Sequence, residues 1–163
     1  MNAGELEYLY MRIGTAIWHL QYVETALTPF ILIKGIAKEL NSLEKDEALK
    51  HEGMLNKLTL GQLLGKAEEF GILNGETLER LRRFNKERRW LVHNSVRESD
   101  DLLYTDSGRA RVFSRIEEFI EEAIALHKHI GELVVEYSVS KGMSRRQIDD
   151  TAQNQIRRLK GKS

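Results

Sequence analysis

The chain of 163 residues has no cysteine, a single proline (Pro29), and no apolar run near the length a membrane span needs, about 18 residues. The missing cysteines remove disulfides and thiolate metal sites, and they agree with a cytoplasmic location. The missing apolar run means that no membrane partner is expected. Period-2 alternation is also missing over any useful length, so strands are not expected, and one proline leaves long helices largely uninterrupted. The opening "MNAGELEYLY" carries no basic stretch followed by an apolar one, so no secretion signal is expected. What remains is 41% hydrophobic and 31% charged, the balance of an ordinary globular domain long enough for one core.

Net charge is zero but unevenly spread. Residues 1–75 carry 7 Lys and Arg against 10 Asp and Glu, residues 76–97 carry 7 against 3, residues 98–142 carry 5 against 10, and residues 143–163 carry 6 against 2. Two basic segments are therefore hidden in a neutral total. A bulk argument for nucleic acid fails, while a local one stands.

Periodicity predicts helices almost throughout. The first runs from about Glu5 to the late thirties on Ile13, Ile17, Leu20, Tyr22 and Leu27, with a kink near Pro29. Asn41 and Ser42 read as a new start, Ser42 capping a helical region that continues on Leu55, Leu58, Leu60, Leu63 and Leu64 to about Phe70. "GILNGE" at 71–76 is a turn, and a helix follows from Glu76 to about Val96. Residues 97–111 read as a polar, exposed connection, and residues 112–139 as a long helix on Ile116, Phe119, Ile120, Ala123, Ile124, Ile130, Leu133 and Val134. After "SKGMS" at 140–144, Ser144 caps a thin last helix striped by Ile148, Ala152, Ile156 and Leu159. The fold expected is all-α: an antiparallel helical bundle of about four to six helices over residues 1–142, with a basic C-terminal helix or tail over 143–163.

The stretch "NKERRWLVHNSV" at 85–96 holds the candidate site. On a helix, Leu78, Leu81, Phe84, Arg88, Leu91 and Ser95 share one stripe, which sets Arg88 towards the core or its edge. A second stripe runs Arg82, Lys86, Arg89, His93, Arg97. Cations three and four apart repel, so this face is locally destabilising. The plain structural alternative is a solvated basic face whose partners are Glu117, Glu118, Glu121 and Glu122, with His93 incidental. Trp90 reads either as a platform for a base or as a buried core residue. His127 and His129 point to different sides of a helix, and His19 and His51 have no ligand-spaced partner, so all four read as structural and no metal site is expected. The cations of the tail, Arg145, Arg146, Arg157, Arg158, Lys160 and Lys162, read as a packed or frayed terminal helix, as a phosphate-contacting arm, or as a helix that docks on a dimer partner.

Arg88-x4-His93, late in a helix of a small all-α chain, resembles the Arg-x(4–6)-His signature of the HEPN superfamily. The order of parts is also similar: a long first helix with Trp18 and Glu24, "TLGQLL" at 59–64, the Arg-His helix, then a long later helix, together most of residues 5–140. Many family members have a small polar residue, often Asn, directly after the arginine; here it is Arg89. In a toxin branch a tyrosine two residues after the histidine is nucleotidylated by the antitoxin; here Ser95 stands there, so that form of blocking is not expected.

The resemblance implies a metal-independent endoribonuclease, of toxin or defence type, that works through the 2′-hydroxyl at a cleft between two protomers. RNA, a second copy of the chain and a protein antitoxin or regulator are the implied partners, with no cofactor. Arg88 and His93 would be catalytic, and Lys86, Arg89, Asn94 and Arg97 would contact substrate. The chemistry suits these residue types: an imidazole takes and gives protons near neutral pH, and a guanidinium fork holds phosphate oxygens. The alternative from a different class is a non-catalytic HEPN-like binding or scaffold domain; a scaffold would be favoured by Arg88 paired with a buried acid such as Glu24 and His93 isolated in solvent.

Overall fold

Asn2 starts the first helix by a reciprocal cap: its side chain accepts from the Glu5 N–H at 2.9 Å, and the Glu5 carboxylate accepts from the Asn2 N–H at 2.7 Å. The computed structural model describes residues 1–39 and 42–161. Helix α1 spans Ala3–Phe30 and passes directly into a wide π-helical turn, Ile31–Ala37. Pro29 thus sits inside α1, and the interruption expected there is taken up as a change of helix type just after it. Lys38, with φ of 60°, ends the wide turn.

Ser42 does not cap the next helix as the sequence suggested. Its hydroxyl donates back to the carbonyls of Ala37 at 2.7 Å and Glu39 at 2.9 Å, tying off the end of the preceding turn. Asn41 lies outside the described residues. The region read as one helix to Phe70 is two. Helix α2 spans Lys45–Leu55, and α3 spans Leu60–Glu69 behind a capping box of Thr59 and Gln62. Gly71, with φ of 61°, ends α3 in the left-handed conformation that glycine adopts freely. Asn74 then caps α4, Gly75–Arg89, accepting from the Thr77 N–H at 2.8 Å. A second π-helical turn, Trp90–Asn94, follows, and then the short α5, Ser95–Ser99.

The connection expected over 97–111 is also largely helical. It holds the end of α5, a 3₁₀ turn at Asp101–Tyr104, and the start of α6, Asp106–Ser140. Thr105 caps α6 by accepting from the Gly108 N–H at 3.1 Å. Polar composition suggested an exposed loop, yet Ser99 and Gly108 are buried because the 3₁₀ turn folds back onto α6. Helix α7, Arg145–Leu159, has a capping box of Ser144 and Gln147, and its described side chains are exposed apart from half-buried Ile148. Lys162 and the side chain of Leu159 lie outside what is described.

The chain is an all-α bundle in which successive long helices reverse direction. Since α6 closes an up-and-down order, it lies beside α1 and parallel to it: Glu5 meets Arg109, Arg12 meets Glu117 and Tyr22 stacks on His127. Helix α4 crosses α6 the other way, Phe84 stacking on Phe119 at 4.5 Å, with Arg80 on Glu122 and Glu87 on Arg115. The core between them is Leu20, Val23, Leu27, Leu81, Phe84, Ile116, Phe119, Ala123, Leu126 and Ile130. Among the described residues no helix is long and apolar enough to cross a membrane.

Two glycines test this packing. A Cβ on Gly108 would run into the Leu102 carbonyl, so Gly108→Ala is expected to destabilise by about 2–3 kcal/mol. Gly131 is exposed within α6 with nothing near an added Cβ, so Gly131→Ala is expected to stabilise by about 0.5–1 kcal/mol. Urea unfolding midpoints that move together for both variants would contradict the tight approach at Gly108.

Candidate functional site

The candidate residues occupy the last turns of α4 and the π-helical turn that follows. Leu81, Phe84 and Leu91 are buried on the stripe expected to face the core, and Arg88 on the same stripe is half-buried. On a regular α-helix Arg88 and His93, five apart, would be separated by about 140° around the axis. The π-helical turn falls inside this interval and narrows that angle, because its hydrogen bonds run over five residues rather than four. No hydrogen bond joins Arg88 to His93.

The charges around the stripe sort themselves clearly. Arg80 donates twice to Glu122, at 2.7 and 2.9 Å, and these hydrogen bonds raise its guanidinium above the ordinary arginine value. Arg82 leaves the expected stripe for Glu68, at 3.1 Å, and Glu79, which raise it likewise. Glu117 is taken by Arg12 on α1, and Glu118 accepts from Ser114 at 2.9 Å. The acids of α6 therefore do not neutralise the stripe, contrary to the structural alternative. Among the described residues Lys86, Arg89, His93 and Arg97 have no carboxylate partner. Arg97 donates to Asn94 Oδ1 at 3.2 Å, which orients both. Lys86, Arg89, His93 and Arg97 all lie on open surface.

Glu24 is not the partner of Arg88. Its Oε1 accepts from the Leu60 N–H at 2.8 Å, so it serves the N-terminus of α3 instead. Trp90 is no stacking platform: it is 4% exposed and lies under the Arg115 guanidinium, 3.8 Å from the ring centroid. The remaining histidines have structural neighbours, as expected. His129 is 3.1 Å from the Thr77 hydroxyl, His127 and His19 pack on Tyr22, and His51 is near Glu47. Among the described residues no three His, Asp or Glu side chains gather as a metal site would need.

Asn85 was missed in the sequence. It faces α3, its side-chain nitrogen 3.3 Å from where a Cβ on Gly61 would stand. Among the described residues the buried side-chain polar atoms without a protein partner are Asn85 Oδ1, Arg88 Nε and Trp90 Nε1. All fall within residues 85–90. They gather at the end of α4 and the first residue of the π-helical turn, just ahead of His93. A polar residue between Phe84 and Arg88 was the only hint in the sequence. No family model, curated protein or solved structure matches this chain.

Arg115 ties this region together, capping Trp90 and pairing with Glu87 at 2.7 Å. Arg115→Ala is expected to open Trp90 to a collisional quencher and to destabilise by about 1 kcal/mol, since both partners are partly solvated. Quenching in the variant that still reports Trp18 alone would contradict the cover.

Proposed function

We infer that this bundle is a metal-independent endoribonuclease, with Arg88 and His93 as its catalytic pair. The observation that carries the reading is the stripe of Lys86, Arg89, His93 and Arg97, left without carboxylates on a helix whose Arg80 and Arg82 are both paired. Cations kept unpaired three and four residues apart are costly in the free protein, and a phosphodiester backbone relieves them. The resemblance to the HEPN superfamily agrees with this reading.

In such a reaction a base takes the proton of the 2′-hydroxyl. The oxygen attacks phosphorus, and the bond to the 5′-oxygen breaks as that oxygen receives a proton. The products are a 2′,3′-cyclic phosphate and a 5′-hydroxyl. Imidazole serves as base or acid, Arg88 holds the phosphate as charge grows on it, and Arg89 assists. Lys86, Asn94 and Arg97 hold the flanking strand. One chain offers one histidine on this stripe, so a second copy would supply the other proton-transfer group. A toxin or defence role with a protein regulator is consistent with this chemistry, as is a cytoplasmic location.

A binding-only domain is the second reading, favoured by the partly shielded Arg88 guanidinium and by the stripe carrying a single histidine, His93. Cleavage of mixed cellular RNA separates the two. At matched folded fraction His93→Ala is expected to lower cleavage roughly 10²–10⁴-fold with little loss of stability, Arg88→Ala to do similar damage with a larger stability loss, and His51→Ala to change neither. Activity retained in His93→Ala would remove His93 from the site, and activity abolished by EDTA would remove the metal-free mechanism. In RNA binding, replacing Lys86, Arg89 or Arg97 by Ala is expected to flatten the log–log salt dependence by about 0.7 for each phosphate the protein no longer neutralises. An unchanged slope would take that residue off the backbone.

A further inference from the structure

Between α6 and the segment from Trp90 to Leu102 lies a cavity of about 290 Å³. Sites for drug-sized ligands run from about 300 to 1,000 Å³, so this one suits a smaller guest. Its polar lining is Trp90, Glu98, Ser99, Arg111 and Arg115. Trp90 is 4% exposed, and its indole N–H has no protein partner. Ser99 is 3% exposed, and among the described residues its hydroxyl donates to no protein group. Arg111 has no carboxylate partner among them either. Glu87 takes only the Nε of Arg115, at 2.7 Å, and Glu98 stands 4.0 Å from its Nη1, too far for a hydrogen bond. Arg111, Ser99 and the terminal nitrogens of Arg115 are thus donors left open around one space, an arrangement that an oxyanion fills.

One acid lines the same space. The Glu98 carboxylate repels an anion unless that anion carries a proton to donate to it. At about pH 8 inorganic phosphate keeps one proton and sulfate none, while a phosphate monoester, whose second pKa is about 6, keeps almost none. The phosphodiesters of an RNA backbone have no such proton. We propose that the cavity binds inorganic phosphate: Arg111, Arg115 and Ser99 donate to its oxygens, and Glu98 accepts from its remaining hydroxyl.

The place of the cavity ties it to the candidate site. Trp90 opens the π-helical turn that carries His93, Glu98 and Ser99 follow that turn in α5, and Arg111 and Arg115 belong to α6. A bound ion joins both ends of the turn to α6 and holds it in place, so the concentration of free phosphate sets how firmly His93 is presented. The cavity is separate from the stripe of Lys86, Arg89, His93 and Arg97, none of which lines it. The binding itself stands without the ribonuclease reading; the consequence for His93 rests on it.

Trp18 and Trp90 are the two tryptophans of the chain, so Trp18→Phe leaves Trp90 as the only indole, in the wall of the cavity. At about pH 8 and constant ionic strength, the Trp90 emission of that variant is expected to change and saturate with inorganic phosphate, and to need about tenfold more sulfate or glycerol phosphate. Arg111→Gln, an added change at the surface, is expected to weaken phosphate by about tenfold. Glu98→Gln, added instead, is expected to bring sulfate close to phosphate, a gain that a merely structural Glu98 does not produce. Circular dichroism checks that each variant is folded. No saturation by tens of millimolar phosphate, an equal response to sulfate or to glycerol phosphate, unchanged phosphate binding in the Arg111 variant, or sulfate still excluded by the Glu98 variant would overturn the assignment. Saturation by phosphate, with a wild type that cleaves no RNA, keeps the cavity and removes the ribonuclease. RNA cleavage by the wild type, with a Trp90 that ignores phosphate, does the reverse.

Discussion

Helix α6 has to bury two sides at once, one against α1 running parallel to it and one against α4 running antiparallel. Ala123, Leu126 and Ile130 have no exposed surface, and Ile116 and Phe119 almost none. This double burial places the other long helices, since neither α1 nor α4 has a comparable apolar wall elsewhere. The seams are closed by pairs at the edge of the wall: Arg12 with Glu117 on one side, Arg80 with Glu122 and Glu87 with Arg115 on the other. Each is partly solvated and contributes at most about 1 kcal/mol, so these pairs set register and rotation more than stability.

The rotation of α4 has a consequence for its charges. Turning Leu81 and Phe84 to α6 brings Arg80 within reach of Glu122 and leaves Lys86, Arg89 and His93 on the side that no acid of α6 reaches. The acidic excess of residues 98–142 and the basic excess of residues 76–97 therefore cancel only in part. The π-helical turn then carries His93 round the axis after the regular helix has fixed Arg88. The buried polar atoms of Asn85, Arg88 and Trp90 that have no protein partner lie in the last turns of α4 and at the first residue of the π-helical turn.

Much of this was legible in the linear pattern. The core stripe of α4, the long last helix of the bundle, the turn at 71–76 and the cap at Ser144 depend on the 3.6-residue period and on local hydrogen bonding, which a sequence carries by itself. The caps at Thr59 and Thr105 are equally local, whereas the start expected at Ser42 is replaced by a tie back to Ala37 and Glu39. The two π-helical turns leave no comparable trace, because one added residue per turn changes the hydrogen-bond partner without changing composition.

The sequence by itself determined the helices, their apolar faces, the placement of Arg88 at the core edge and the absence of any thiolate chemistry. The tertiary structure decided which charges are neutralised and which aromatics are covered. Glu24 goes to the end of α3 rather than to Arg88, Trp90 goes under Arg115, and Trp18 with Tyr22 stays outside. The physical reason is one of range. Helix propensity and capping act over three or four residues, whereas an ion pair or a stacked ring joins residues 28 to 105 positions apart, as Arg115 with Glu87 and Arg12 with Glu117 do, and only packing brings them within reach.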